Sequence, residues 1–300
     1  WLVLLFPSLF QAVNLRSAHG RVFTSVSLTD PEAERPLYKL SKMNSTYIKQ
    51  GTMLNCSWNL KDAIKVFFAY ITLMFAGMPI IVRIIYTISG HKIQDLIGQR
   101  SIILFVTLFI NLLVCSYVFY IVYIKYRQPV STLGLTNLNI SKNIILGIKR
   151  YLITIPIIML AGFIINLISN YFGITPDMQD VVKWLLEEKS LFVIFSLIFF
   201  GTIVAPFLEE IIFRGFLQSA LKNSFSGRYA IILSSAIFAG VHMDPFAFLQ
   251  IFILGILLGY LFEKTQTLVA SVVVHIMHNS LTLVFLLYFK YFLKGRIPVF

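Results

Sequence analysis

From Lys61 onward the chain alternates long apolar runs with short polar breaks. Crossing about 30 Å of hydrocarbon takes roughly 17–25 consecutive apolar residues as a helix. On that measure the pattern predicts spans at roughly 62–88, 101–124, 144–169, 190–208, 229–243, 245–263 and 267–289, the fourth running on into a polar segment. The expected fold is all-α: a polytopic integral membrane protein of about seven transmembrane helices. Pro79, Pro156 and Pro206 fall inside apolar runs, where membrane helices accept proline at the cost of a kink. Pro206 in particular is expected to bend its helix and open backbone groups to a cavity. No internal repeat of the kind found in secondary transporters occurs.

Residues 1–60 follow a different pattern. An apolar opening from Trp1 to Val13 leads into a polar stretch ending at Asn59, with Pro31, Glu32, Glu34, Arg35 and Pro36 along it. The opening is too short to span a bilayer and lacks the basic flank of a signal peptide. The chain does not open on methionine, and Met43 and Met53 are alternative starts. The expected organisation is a peripheral or disordered segment over 1–60, which need not belong to the mature protein, followed by a membrane domain over 61–300.

Composition agrees with the pattern. Hydrophobic residues make up 58% of the chain and charged ones 13%, about half the charged share of a soluble domain. The 28 phenylalanines exceed what a soluble core of this size needs. The net charge of +12 is carried by basic residues at helix ends and in loops, where they anchor and orient spans. No basic stripe interleaved with aromatics occurs, so a nucleic-acid partner is not expected. The loop 125–150 is basic and the loop 170–190 acidic, which places the first inside and the second outside; Lys290, Lys294 and Arg296 run against that count. Cys56 and Cys115 make no disulfide framework. The abundance of Ile, Lys and Asn points to a bacterial cytoplasmic membrane.

The informative exceptions are polar groups inside the apolar runs. Glu209, Glu210 and Arg214 interrupt one run, His242 follows another, and His275, His278 and Asn279 lie in the last. A charged group at membrane depth costs roughly 2.5–3.5 kcal/mol on insertion scales, so such groups are retained where they have a task. Glu210 and Arg214 stand four apart and share a helix face. Glu209 is about 100° round the helix from Glu210 and about 140° from Arg214. Arg214 is therefore expected to hold Glu210 and leave Glu209 without a close cation, as a general base for water. Phe238 stands one turn before His242 and can shield it from water. His275 and Asn279 again share a face, and an imidazole or amide N–H can donate to an oxyanion.

The ordered set Glu209-Glu210-x-x-x-Arg214, Phe238-x-x-x-His242 and His275-x-x-x-Asn279 resembles the CAAX-type prenyl protease and bacteriocin-processing (CPBP) family of glutamate intramembrane peptidases. The resemblance covers roughly residues 150–290, and every motif position matches. It implies a membrane endopeptidase with helices around an interior catalytic cavity and no cofactor. In it Glu209 and His242 would activate water, His275 and Asn279 would stabilise the oxyanion, and Glu210, Arg214 and Phe238 would support the site. The implied partners are a peptide or membrane-protein substrate and the lipid bilayer. Three other readings stand beside it: a zinc site held by Glu209, His242 and His275, a non-catalytic bacteriocin immunity or scaffold protein, and a proton-coupled transporter.

Overall fold

The apolar runs fold as helices in the computed structural model, which describes residues 56–89, 96–174 and 180–292; no strand occurs among the described residues. Six helices are long and apolar enough to cross a membrane, and Gly227–Gly240 is a shorter apolar helix beside them. The expected all-helical fold of about seven spans agrees with this set. We number the helices α1 (Leu60–Ile88), α2 (Leu96–Phe119), α3 (Ile140–Tyr171), α4 (Asp180–Glu187), α5 (Leu191–Lys222), α6 (Gly227–Gly240), α7 (Phe248–Thr265) and α8 (Val269–Phe292). The short helix α4 falls within the stretch expected to be a loop. Its partner is α8: Lys290 Nζ donates to the carbonyls of Leu185 (2.8 Å) and Glu188.

Helix α7 packs on α6 and α3, and α8 packs on α3 and on the middle of α5. One core cluster joins Tyr151 and Ile158 of α3 to Leu254, Leu257, Leu258 and Leu261 of α7 and Val274 of α8. The outward faces of α2, α3 and α5 carry exposed Phe105, Phe109, Leu152, Ile153, Leu191, Phe192 and Phe195. Apolar side chains on the outside and a packed interior suit a protein whose solvent is lipid.

The expectations for residues 1–55 lie outside the described residues. The packed chain nevertheless begins before the boundary expected at 61. Trp58 is fully buried, its indole Nε1 donates to the Phe216 carbonyl (2.9 Å), and its ring stacks on Phe216 with centroids 5.4 Å apart. Asn223 Nδ2 donates to the carbonyls of Cys56 (3.0 Å) and Trp58 (2.9 Å). Asn59 then caps α1 by accepting from the Asp62 N–H (3.2 Å). The polar look of this stretch concealed a single aromatic anchor that ties it to the end of α5.

Helix α5 is irregular where the carboxylates lie. Wide π-type turns run over Phe200–Val204 and Ile211–Gln218, with α-helix from Ala205 to Glu210 between them. In the first of these the Ala205 N–H reaches back five residues to the Phe200 carbonyl. The next donor in that register would be residue 206, which is proline and has no N–H. The Gly201 carbonyl is thereby released from the helix ladder. Pro156, by contrast, sits within α3 without ending it. The second irregular turn holds Gly215 against the loop after α2, where a Cβ would lie 2.6 Å from the Leu133 carbonyl oxygen.

Candidate active site

Glu209 and Glu210 leave α5 in different directions, as the 100° step between neighbours requires. Glu210 is fully buried, and its Oε2 lies 3.3 Å from Arg214 Nε, also fully buried. The guanidinium carbon of Arg214 stands 4.5 Å from the centre of the Phe238 ring. Charge on one side and the negative face of a ring on the other hold this cation. Glu209 turns the other way, into the wall of a cavity of about 90 Å³ that Asn279 also lines.

His275 stands between the two carboxylates. Its Nδ1 is 3.0 Å from Glu210 Oε1 and its Nε2 is 3.7 Å from Glu209 Oε2. A carboxylate only accepts, so Nδ1 carries a proton and donates it to Glu210, and Nε2 is the ring nitrogen that faces Glu209. The same tautomer is set at His242 by a different route. Helix α6 ends at Gly240, two residues short of His242, where the expected span had reached residue 243. The chain tightens there, with His242 N–H donating to the Ala239 carbonyl (3.3 Å), so the Phe238 carbonyl loses its usual partner. The His242 ring takes that place, Nδ1 donating to Phe238 O at 2.7 Å. Its Nε2 is left as an acceptor. Met243, at φ 52°, and Asp244, whose Oδ1 accepts from the N–H groups of Phe246 and Ala247, complete the turn.

Phe238 is the hub of the cluster. Besides Arg214 it touches Phe213 (5.1 Å), His242 (4.8 Å) and His275 (5.6 Å), each ring meeting it nearly edge to face. His242 reaches the glutamates' neighbourhood through this ring. Asn279 is placed by the irregularity in α5: its Nδ2 donates to the released Gly201 carbonyl at 2.9 Å. An amide nitrogen carries two hydrogens, so one donor remains beside the cavity.

The structure thus places Glu209, Glu210, Arg214, Phe238, His242 and His275 in one contact cluster, and Asn279 joins Glu209 in the lining of the cavity. His278 points elsewhere: its Nδ1 is 3.0 Å from the Tyr151 hydroxyl, between α3 and α8. Two features were not singled out from the sequence. Asn111 and Trp184 line the same cavity as Glu209. An asparagine alone in an apolar run was the available signal for the first. For the zinc alternative, no group of three His, Cys, Asp or Glu side chains able to hold a metal ion occurs among the described residues.

Residues 191–281, the stretch from α5 to the middle of α8, match the family described as type II CAAX prenyl endopeptidase Rce1-like. The chain is 30% identical over 136 residues to a putative membrane peptidase, YdiL, of Bacillus subtilis (strain 168), an alignment covering 42% of this chain and 54% of that protein. It is also 30% identical over 95 residues to the membrane-embedded CAAX protease MroQ of Staphylococcus aureus (strain USA300), covering 29% of this chain and 38% of the relative. The chain therefore spans about half the length, or less, of the curated relatives it matches. No solved structure matches it. The resemblance seen in the three motifs is a family resemblance, carried by the part of the chain that builds the site, and these apolar helices place the protein in a membrane.

Proposed function

We propose that this protein is an intramembrane endopeptidase in which Glu209 and His242 activate water. The observation that carries the reading is Glu209: a carboxylate at membrane depth, turned away from the Glu210–Arg214 pair and into a cavity shared with Asn279. Geometry of this kind, drawn from α5, α6 and α8, supports hydrolysis of a peptide bond because each chemical requirement has a candidate group. Water loses a proton to Glu209, with the Nε2 lone pair of His242 as the second acceptor, and its oxygen bonds to the scissile carbonyl carbon. The carbonyl oxygen gains the negative charge, which the spare N–H of Asn279 receives. His275 becomes a second donor to that oxygen when the proton that Glu209 took from water is shared with Nε2, the atom that faces Glu209. Collapse breaks the C–N bond, and the proton taken from water passes to the leaving amine.

Glu210, Arg214 and Phe238 act on this chemistry by position. Glu210 fixes the His275 tautomer, Arg214 balances the charge of Glu210, and the Phe238 ring spaces the two imidazoles. The scheme uses no cofactor. Substrates of this reading are peptides or tails of membrane proteins that can reach the cavity from the bilayer.

The test is a peptidase assay against a peptide library with the full chain reconstituted in lipid, run beside Glu209→Gln. That substitution keeps shape and hydrogen bonding but removes the base. Turnover by the unaltered protein and its near-total loss in a folded Glu209→Gln variant are expected. Equal turnover in the two would remove Glu209 from the mechanism. A protein that cleaves nothing, yet protects cells or binds a partner equally well with either residue at 209, would be an immunity or scaffold protein.

A further inference from the structure

A peptide drawn to the depth of Glu209 brings one main-chain N–H per residue to a place without water, and each needs an acceptor. The cavity supplies few. Its polar side chains are Thr107, Asn111, Trp184, Glu209 and Asn279, the remaining lining being apolar or glycine. Indole only donates, and Glu209 and Asn279 are already given to water and to the oxyanion in the proposed mechanism, which leaves the Thr107 hydroxyl and the Asn111 amide.

Asn111 differs from these. It lies in the middle of α2 and is buried, 7% exposed. Its Nδ2 donates to the Thr107 carbonyl at 2.9 Å, which fixes the amide so that the oxygen is the end left over. That oxygen is buried and has no hydrogen-bond partner among the described residues. A buried acceptor without a donor is costly to keep. Its surroundings are those of an inward face. Leu104, Thr107, Leu108 and Asn111 line the cavity along one stripe of α2, whereas Phe105, Phe109, Leu112 and Leu113 face outward. One turn past Asn111 on the same stripe, the Cys115 thiol contacts the Leu208 carbonyl at 3.7 Å, the residue immediately before Glu209. The stripe is held against the carboxylate's own helix.

We propose that the Asn111 side-chain oxygen is a subsite for a main-chain N–H of an extended peptide lying beside Glu209. It deepens the peptidase reading and rests on it. Asn111 is a positioning residue: it takes no part in the bond changes and sets which peptide bond of the guest lies over Glu209.

An ester scan tests this directly. A peptide that the reconstituted full chain cleaves is remade with one main-chain amide at a time replaced by an ester, away from the scissile bond, which removes a single N–H and keeps the side chains. The unaltered protein is expected to lose about tenfold or more in kcat/KM at one ester position, the scale of a lost buried hydrogen bond. Asn111→Leu, similar in size and without an acceptor, is expected to lose a like amount on the all-amide peptide. It should then be indifferent to the ester at that same position while responding normally at others. A merely structural role for Asn111 would lower all peptides alike. Asn111→Ala, which likewise removes the acceptor, serves if the leucine variant does not fold. Equal ester profiles for the protein and its variant would overturn the subsite while leaving Glu209-dependent cleavage intact. Absence of any Glu209-dependent cleavage would take down the peptidase reading, and the subsite with it.

Discussion

Replacing Arg214 by methionine should be among the most destabilising single changes in this protein. Both members of its pair with Glu210 are fully buried, with Nε and Oε2 3.3 Å apart. Removing one partner of a buried pair typically costs about 3–5 kcal/mol, because the other charge is left without compensation. The guanidinium also lies 4.5 Å from the Phe238 ring centre, and a desolvated contact of that kind contributes about 2 kcal/mol. His275, 3.0 Å from Glu210, softens the loss by offering its N–H. A fall of roughly 3–5 kcal/mol is therefore the expected size. Glu210→Gln combined with Arg214→Met removes both charges and should recover most of it, since replacing a whole buried pair by apolar or neutral groups is often close to neutral. The measurement is reversible unfolding of the purified protein in mixed micelles, run as a double-mutant cycle on the two single variants and the double. A coupling energy of about 2 kcal/mol or more is expected for residues in direct contact. Loss of under about 1 kcal/mol in Arg214→Met, the range of an exposed pair, or strictly additive losses in the double variant, would refute the pairing argument.

Asn279→Ala should lower turnover by roughly 10²–10³, the usual loss when one oxyanion donor goes, and cost about 1–3 kcal/mol of stability because the Gly201 carbonyl is left unpaired; a rate within a factor of three would take Asn279 out of that role. Strong chelators should leave peptidase activity intact, whereas a site built on zinc would lose it and regain it with added Zn²⁺. Trp58→Ala should cost about 3–5 kcal/mol in the same unfolding assay, the range for a fully buried aromatic. An unchanged unfolding midpoint would show that the stretch before α1 does not anchor α5.

Much of the architecture was legible because it depends on local pattern. A run of apolar residues long enough to cross hydrocarbon has only one good solution, a helix that satisfies its own backbone, so the spans were readable from Lys61 onward. The spacing of Glu210 and Arg214 was legible for the same reason, since helical pitch puts residues four apart on one face. The end of α6 falls three residues before the expected one because hydropathy does not mark where a ladder tightens. Here Asp244 and the strained Met243 form the turn instead. Trp58 was hidden by the polar residues around it, as one buried ring is too small a signal to shift a composition-based reading.

By itself, then, the sequence determined the class of environment, where the apolar helices run, and which polar groups had to be explained. It also marked Pro206 as a place where backbone groups of α5 open, because proline cannot supply an N–H to the ladder. Only the tertiary structure decided what those groups do to one another. The Gly201 carbonyl released in α5 meets Asn279 seventy-eight residues along, and His275 settles between two carboxylates sixty-five residues and more away. Asn111 looks the same in sequence whether it faces lipid, a neighbouring helix or the cavity beside Glu209. The helix pattern fixes which residues share a face; the packing of separate helices fixes which face is turned inward, and that depends on contacts among residues far apart in the chain.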